Sequence, residues 1–159
     1  MSYADTVLKN HWNGHLPVDL DDILSKLDIE VRALDSSESD DIHGMACLED
    51  GKKIVYVSLK DSVVRRRFTA AHEIGHHVLG HVTPDKHQLR DGKHIFTGNA
   101  QSYLESQANT FAAQLLMPKF ALEHAITEEN IRTIEGLSDK FNVSQIAMRI
   151  RLQGLGFLR

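Results

Sequence analysis

Cysteine is almost missing from this chain of 159 residues: Cys47 stands alone. A single thiol excludes an internal disulfide and any multi-cysteine zinc ribbon, and it is compatible with a reducing compartment. Long hydrophobic runs are missing as well, since none approaches the ~18–20 apolar residues that span a bilayer. The start, Met1-Ser2-Tyr3-Ala4-Asp5, lacks the positive and apolar regions of a secretory signal. The expected location is therefore the cytoplasm, with no membrane partner. Positive charge is not in excess either. The net charge is −4 and the isoelectric point lies near 6.2, which argues against a surface built wholly for nucleic acid but leaves room for one basic patch. No repeat or low-complexity tract occurs, and the run Asp35-Ser36-Ser37-Glu38-Ser39-Asp40-Asp41 is a short acidic loop.

What is present is ordinary for a soluble globular protein, with 42% hydrophobic and 25% charged residues. The length suits one domain, or one with a small appendage. The pattern predicts a short helix over residues 3–10. A second helix follows Asp19, with Leu20, Ile23, Leu24 and Leu27 at helical spacing. Ile29 to Leu34 alternates as a strand. Two further β-type runs, Gly44 to Leu48 and Lys53 to Leu59, flank Asp50-Gly51, a strong hairpin signal. Asp61 or Ser62 can cap a helix from Val63 to about Leu79, with Gly80 able to end it in the left-handed conformation. Residues 82–101 have no period and read as a loop, a natural gate over a site. Helices are expected again over 102–116, 119–125, 127–140 and 144–153. The order predicts an α+β fold: a small, mostly antiparallel sheet packed on the 63–79 helix, followed by a helical C-terminal region. The expected division is a core over residues 1–125 and a helical tail over 126–159 that resembles a helix-turn-helix unit.

Within the 63–79 helix, His72-Glu73-Ile74-Gly75-His76 matches HExxH. Residues four apart share a helix face, so two imidazoles there can grip one zinc ion. Glu73 can then face the attacking water as general base. With ten histidines in the chain, surroundings must support the motif. A catalytic zinc wants three protein ligands. The extended motif with a third His needs Gly at 79 and His at 82, but Leu79 and Val82 stand there. His81 is one residue early and, on a continuing helix, would fall about a turn beyond the metal, facing solvent or substrate. Glu105 is the attractive third ligand. It shares a helix face with Asn109, which can hydrogen-bond the far nitrogen of a ligand His, and Ala108, Ala112 and Ala113 allow close helix approach. The alternative is that Glu105 is a solvated first-turn acid favoured by the helix dipole.

The segments Arg66-Arg67-Phe68-Thr69-Ala70-Ala71-His72-Glu73-Ile74-Gly75-His76-His77-Val78-Leu79 and Glu105-Ser106-Gln107-Ala108-Asn109-Thr110-Phe111-Ala112-Ala113-Gln114-Leu115-Leu116-Met117-Pro118 resemble the ImmA/IrrE family of zinc metallopeptidases. The likeness covers roughly residues 19–158, because the tail from Leu137 to Ser144, with Ala147 and Arg151-Leu152, is similar too. The resemblance implies one catalytic Zn2+ on His72, His76 and Glu105, with Glu73 as base and a zincin-like minimal metallopeptidase fold. It also implies a substrate class, since members of that family commonly cleave a helix-turn-helix transcriptional repressor in mobile elements, prophages or stress responses.

A peptide substrate must be held extended. By analogy with zinc peptidases of this build, Gly44, Met45, Ala46, Cys47 and Leu48 would form an exposed edge strand for it; the plainer alternative is the outer arm of a hairpin. Cys47 reads as a half-buried small residue and not as a ligand or nucleophile. A second electrophile for the tetrahedral oxyanion is needed, with Tyr103, His77, His81, His94 and Arg90 as candidates. Of Arg65-Arg66-Arg67, at least one should turn inward and pair with an acid such as Asp61. Two rival classes remain: a DNA-binding regulator using the tail, with Arg149, Arg151 and Arg159 as its basic groups, and a non-catalytic zinc-binding partner or antitoxin module. In the plain reading of the tail, its helices cap the core with Ile146, Ile150, Leu152 and Leu155 inward.

Overall fold

The structure, a computed structural model, describes residues 1–34, 42–85, 88–92 and 100–159. Its elements run α1 (Tyr3–His11), α2 (Leu20–Lys26), β1 (Ile29–Ala33), β2 (Ile42–Glu49), β3 (Lys52–Val57), α3 (Val63–Val78), β4 (Gln88–Gly92), α4 (Ala100–Leu116), α5 (Lys119–Thr127), α6 (Ile134–Phe141) and α7 (Gln145–Gly154). The expected helix over 127–140 is shorter at its start, because residues 128–133 separate α5 from α6. No helix among the described residues is long and apolar enough to cross a membrane.

The fold is α+β, as the pattern predicts. The sheet is mixed, in the order β1-β3-β2-β4. Strand β1 runs parallel to β3, and β2 is antiparallel to both β3 and β4. The β2–β3 turn is carried by Asp50 and Gly51 with φ of 52° and 78°; two positive φ values are what a twist-compatible two-residue hairpin requires. The strand pleat then sorts side chains by face. Val55 and Val57 join the main core on the helical side, whereas Met45, Cys47 and Ile54 form a smaller cluster with Tyr56 on the other.

That pairing corrects two expectations. From Gly44 to Cys47 strand β2 is not an exposed edge: β4 lies along it, with Gly44 opposite Asp91, Met45 opposite Arg90, Ala46 opposite Leu89 and Cys47 opposite Gln88. The region read as an unstructured gate thus supplies a strand, while residues 86–87 and 93–99 lie outside the described part of the chain. Cys47 is buried, more so than expected. Desolvation first, and then the nearby Glu49 carboxylate, push its thiol up to about 11, so it is neither a ready nucleophile nor a thiolate ligand.

Helix α3 is capped by Ser62, whose side chain accepts from the Arg65 amide. It lies between the sheet and α4. The α3–α4 contact is close because its residues are small: Ala71, Ala108 and Ala112 are fully buried. A Cβ at Gly75 would stand 2.9 Å from Phe111 Cδ1, so even one methyl group there would force the two helices apart, and overpacking of this kind costs about 1–3 kcal/mol. The C-terminal helices share the main core, to which they contribute Leu137, Phe141, Met148 and Leu152. Two arginines tie them down: Arg67 Nε donates to the Asn142 carbonyl at 3.1 Å, and Arg151 Nε to the Met117 carbonyl at 3.0 Å. So Arg67 turns inward as expected of one member of its run, though to a carbonyl; Arg65 is the member near Asp61, at 3.9 Å. Leu152 is inward and Leu155 packs on the core, but Ile146 and Ile150 are not inward: they are 74% and 63% exposed. Spacing alone cannot choose between two apolar pairs that both recur at i, i+4, and Met148 with Leu152 takes the core.

Candidate metal centre

Helix α3 delivers His72, Glu73 and His76, and α4 delivers Glu105 and Asn109. The helix spacing places the two imidazoles one above the other, with ring centroids 4.7 Å apart. His72 Nε2 lies 2.7 Å from Glu105 Oε2, and His76 Nε2 lies 3.3 Å from the same oxygen. The two Nε2 atoms are 3.2 Å apart. The alternative of a solvated Glu105 is excluded by its 2% exposure. Glu73 is also within reach, since His72, Glu73 and His76 each present a ligand-type atom within 4.8 Å of the others. The grouping with Glu105 is the tighter one.

The far sides of both rings are held. His72 Nδ1 donates to Asn109 Oδ1 at 2.8 Å, which leaves its Nε2 lone pair directed at Glu105. His76 Nδ1 lies 2.9 Å from His81 Nδ1, and His81 Nε2 lies 2.9 Å from Gln107 Oε1. One proton arrangement serves this chain: His81 donates from Nε2 to Gln107, accepts at Nδ1 from His76, and so frees His76 Nε2 as a lone-pair donor. Burial is the main reason that His81 is held below the ordinary imidazole value, which keeps it neutral and able to accept.

Three lone-pair-bearing atoms thus converge in a buried space. A proton on His72 Nε2 would satisfy only its own pair with Glu105. One cation at the centre serves all three, and a buried carboxylate needs such a partner because isolating it costs several kcal/mol. Two imidazoles and one carboxylate, each oriented by an outer hydrogen bond or by burial, are the donor set of a metal site with room for a further ligand. The residues present fit a divalent metal.

The position of His81 corrects the expectation of a solvent- or substrate-facing residue. The helix does not continue to it. Gly80 adopts φ 77°, its amide bonds the His77 carbonyl at 3.2 Å, and the His81 amide bonds the His76 carbonyl at 2.9 Å. This is the Schellman closure, and it folds the His81 ring back beneath His76. Outer partners of this kind typically govern metal affinity by 10–100-fold. His81→Ala is accordingly expected to weaken metal binding by about that factor, measured by competition with a chromogenic chelator; unchanged affinity would deny His81 this role.

The other expected contacts distribute differently. Gly44 does approach the site, but by having no side chain. A Cβ there would collide with Thr69 Cγ2 and stand 3.1 Å from Glu73 Oε1, so glycine lets β2 lie against Glu73. Met45 and Cys47 belong to the cluster on the opposite face of the sheet and present no side chain to the His72–His76–Glu105 cluster, while Ala46 is fully buried. Tyr103 is 66% exposed and turns away, being two residues or roughly 200° around α4 from Glu105. His77 is buried, and its Nε2 donates to the Ile54 carbonyl at 2.9 Å; desolvation holds it below the usual imidazole range. It staples α3 to β3. The Arg90 side chain and His94 lie outside the described residues. Gln107 was not singled out from the sequence, and its spacing of two from Glu105 carries no signal for such a role. His43 carries no motif signal either; its Nδ1 meets Asp61 Oδ2 at 3.0 Å and its Nε2 meets Arg65 at 3.2 Å.

A groove of about 770 Å³ opens beside the cluster, with His72, Glu105 and Asn109 in its lining. An HExxH helix, a facing glutamate helix and a mixed sheet behind them define the class: a metallopeptidase-type centre in a small α+β protein. A family model described as Peptidase_M78, IrrE N-terminal-like domain, matches residues 24–153. The chain belongs to this peptidase family. Comparison with curated proteins finds no match.

Proposed function

We propose that the protein is a zinc-dependent endopeptidase. The observation that carries this reading is the convergence of His72 Nε2, His76 Nε2 and Glu105 within 2.7–3.3 Å of one another, with a wholly buried second acid, Glu73, on the adjoining helical position. His72, His76 and Glu105 would hold the ion. When bound, zinc supplies a Lewis acid for the peptide carbonyl and brings the pKa of water towards ~7. Glu73 removes the proton of the attacking water as its oxygen adds to the carbonyl carbon. The C–N bond then breaks, and Glu73 passes that proton to the leaving amine. Asn109, and His81 backed by Gln107, keep the two imidazoles in the tautomer that presents Nε2 inward.

The proposed substrate is a protein, in the first place a helix-turn-helix transcriptional repressor whose cleavage relieves repression in the cytoplasm; the likeness to the ImmA/IrrE family supports that class. The rival reading, a DNA-binding regulator, draws on the α6–α7 pair with its left-handed Asn142 at φ 53°. The outward isoleucines of α7 weigh against it, because a helix that reads base edges needs polar groups there. The retained Glu73 weighs against a purely binding module. Incubation of the zinc-loaded protein with candidate repressors, followed by mass analysis, is expected to give fragments from a small number of bonds. A chelator should stop this and added zinc restore it. No cleavage, together with duplex binding that weakens steeply with salt, would favour the regulator.

A further inference from the structure

Helix α7 carries Ile146 and Ile150 in the open, 74% and 63% exposed, although they sit one turn apart on a helix otherwise well anchored in the core. Both line the groove that begins at His72 and Glu105. Phe68, Ala113 and Ala147 line the same groove. Its walls are therefore α3, α4 and α7, and its lining is predominantly apolar. Its volume of about 770 Å³ lies within the ~300–1,000 Å³ typical of ligand clefts. On the other side of the cluster, β4 already pairs with β2, so the β2 backbone is not open to an incoming chain there.

We propose that this helical groove is the subsite for a bulky apolar side chain of the substrate residue that flanks the scissile bond, with Ile146 and Ile150 as its far wall. The inference rests on the reading of the metal cluster as a peptidase centre. Three observations select this occupant. The groove is lined by His72 and Glu105, so whatever fills it lies beside two of the three candidate ligands. Its charged and titratable lining residues are already engaged: Arg65 and His43 with each other and with Asp61, Arg151 with the Met117 carbonyl, and His72 with Glu105. And two isoleucines on an outward face gain from being covered by an apolar group, whereas a phosphate backbone would leave them unsatisfied. The tail thus serves selection: α7, the second helix of a unit resembling helix-turn-helix, closes the site.

The test uses the full chain carrying Glu73→Gln, loaded with zinc, and two metal-binding probes: the hydroxamates of acetyl-leucine and acetyl-glycine. Titration is followed by calorimetry and by the methyl signals of the isoleucines in NMR. The leucine probe is expected to bind at least about 10-fold more tightly than the glycine probe, the discrimination ordinarily available to an apolar pocket, and to shift the δ1 methyls of Ile146 and Ile150. Adding Ile150→Asp should bring the leucine probe down to the affinity of the glycine probe, with the zinc content of the protein unchanged. Ile146→Asp provides a second variant at an equally exposed position. Equal binding of the two probes, with both methyls unmoved, would overturn the subsite and leave the metal centre standing. Binding of neither probe would overturn the peptidase reading and the subsite with it. Shifts of these methyls by a DNA duplex instead of the leucine probe would assign the face to nucleic acid and likewise overturn the subsite.

Discussion

Glu73→Gln is expected to keep its metal and lose its turnover. The exchange preserves size and removes the basic lone pair, so the proton of the attacking water has no acceptor at the right distance. General-base catalysis contributes about 10²–10⁴-fold, and cleavage of a substrate protein should fall by at least that range. Metal content, measured by atomic emission, should stay at one equivalent, because His72, His76 and Glu105 are untouched. The fold should tolerate the change as well: the side chain is fully buried against Gly44, where the strand was already cleared to receive it, and glutamine fills the same volume. Wild-type rates in Glu73→Gln would remove this residue from the chemistry.

Glu105→Ala should fail in the opposite order, losing the metal first and the activity as a consequence. Glu105 is the only described link between the two imidazoles that comes from the second helix, at 2.7 Å from His72 Nε2. Its loss leaves two neutral nitrogens, with Glu73, the proposed base, as the nearby negative charge. Zinc affinity should drop by more than the roughly 10–100-fold attached to an outer hydrogen-bond partner, and therefore by more than in His81→Ala. Chelator competition across the three proteins gives the ranking directly. If Glu105→Ala held zinc as tightly as the wild type, the ligand set would be His72, His76 and Glu73, which also stand together.

Much of the site could be read from residue order. HExxH needs only helical periodicity to bring its imidazoles together, and Ser62 and Gly80 mark the ends of the helix that carries it. Glu105 and Asn109, four apart, signal one face of a helix in the same way. The Asp50-Gly51 turn likewise leads directly to the β2–β3 hairpin. What escaped lies where a contact depends on distant backbone. Strand β4 reads Gln-Leu-Arg-Asp-Gly, with no β-branched or aromatic residue; its pairing to β2 supplies the order that its composition does not. The parallel β1–β3 pairing joins strands separated by β2, which local pattern cannot specify. A helix continued through His81 would misplace it, but a left-handed glycine reverses the chain first. Ile146 and Ile150 looked like core because apolar spacing identifies a stripe and not its partner. Where Met148 and Leu152 already fill the core, a second stripe is left facing outward, and here it faces the groove.

The most direct measurement is zinc K-edge absorption on the purified, zinc-loaded protein. Two imidazole nitrogens at about 2.0–2.1 Å and a carboxylate oxygen at about 2.0–2.2 Å, with one further light ligand from solvent and a one-to-one stoichiometry, are the predicted result. A sulfur ligand, a shell made of oxygen alone, or the absence of a stoichiometric metal would contradict the three-residue, two-helix centre on which the proposed chemistry stands.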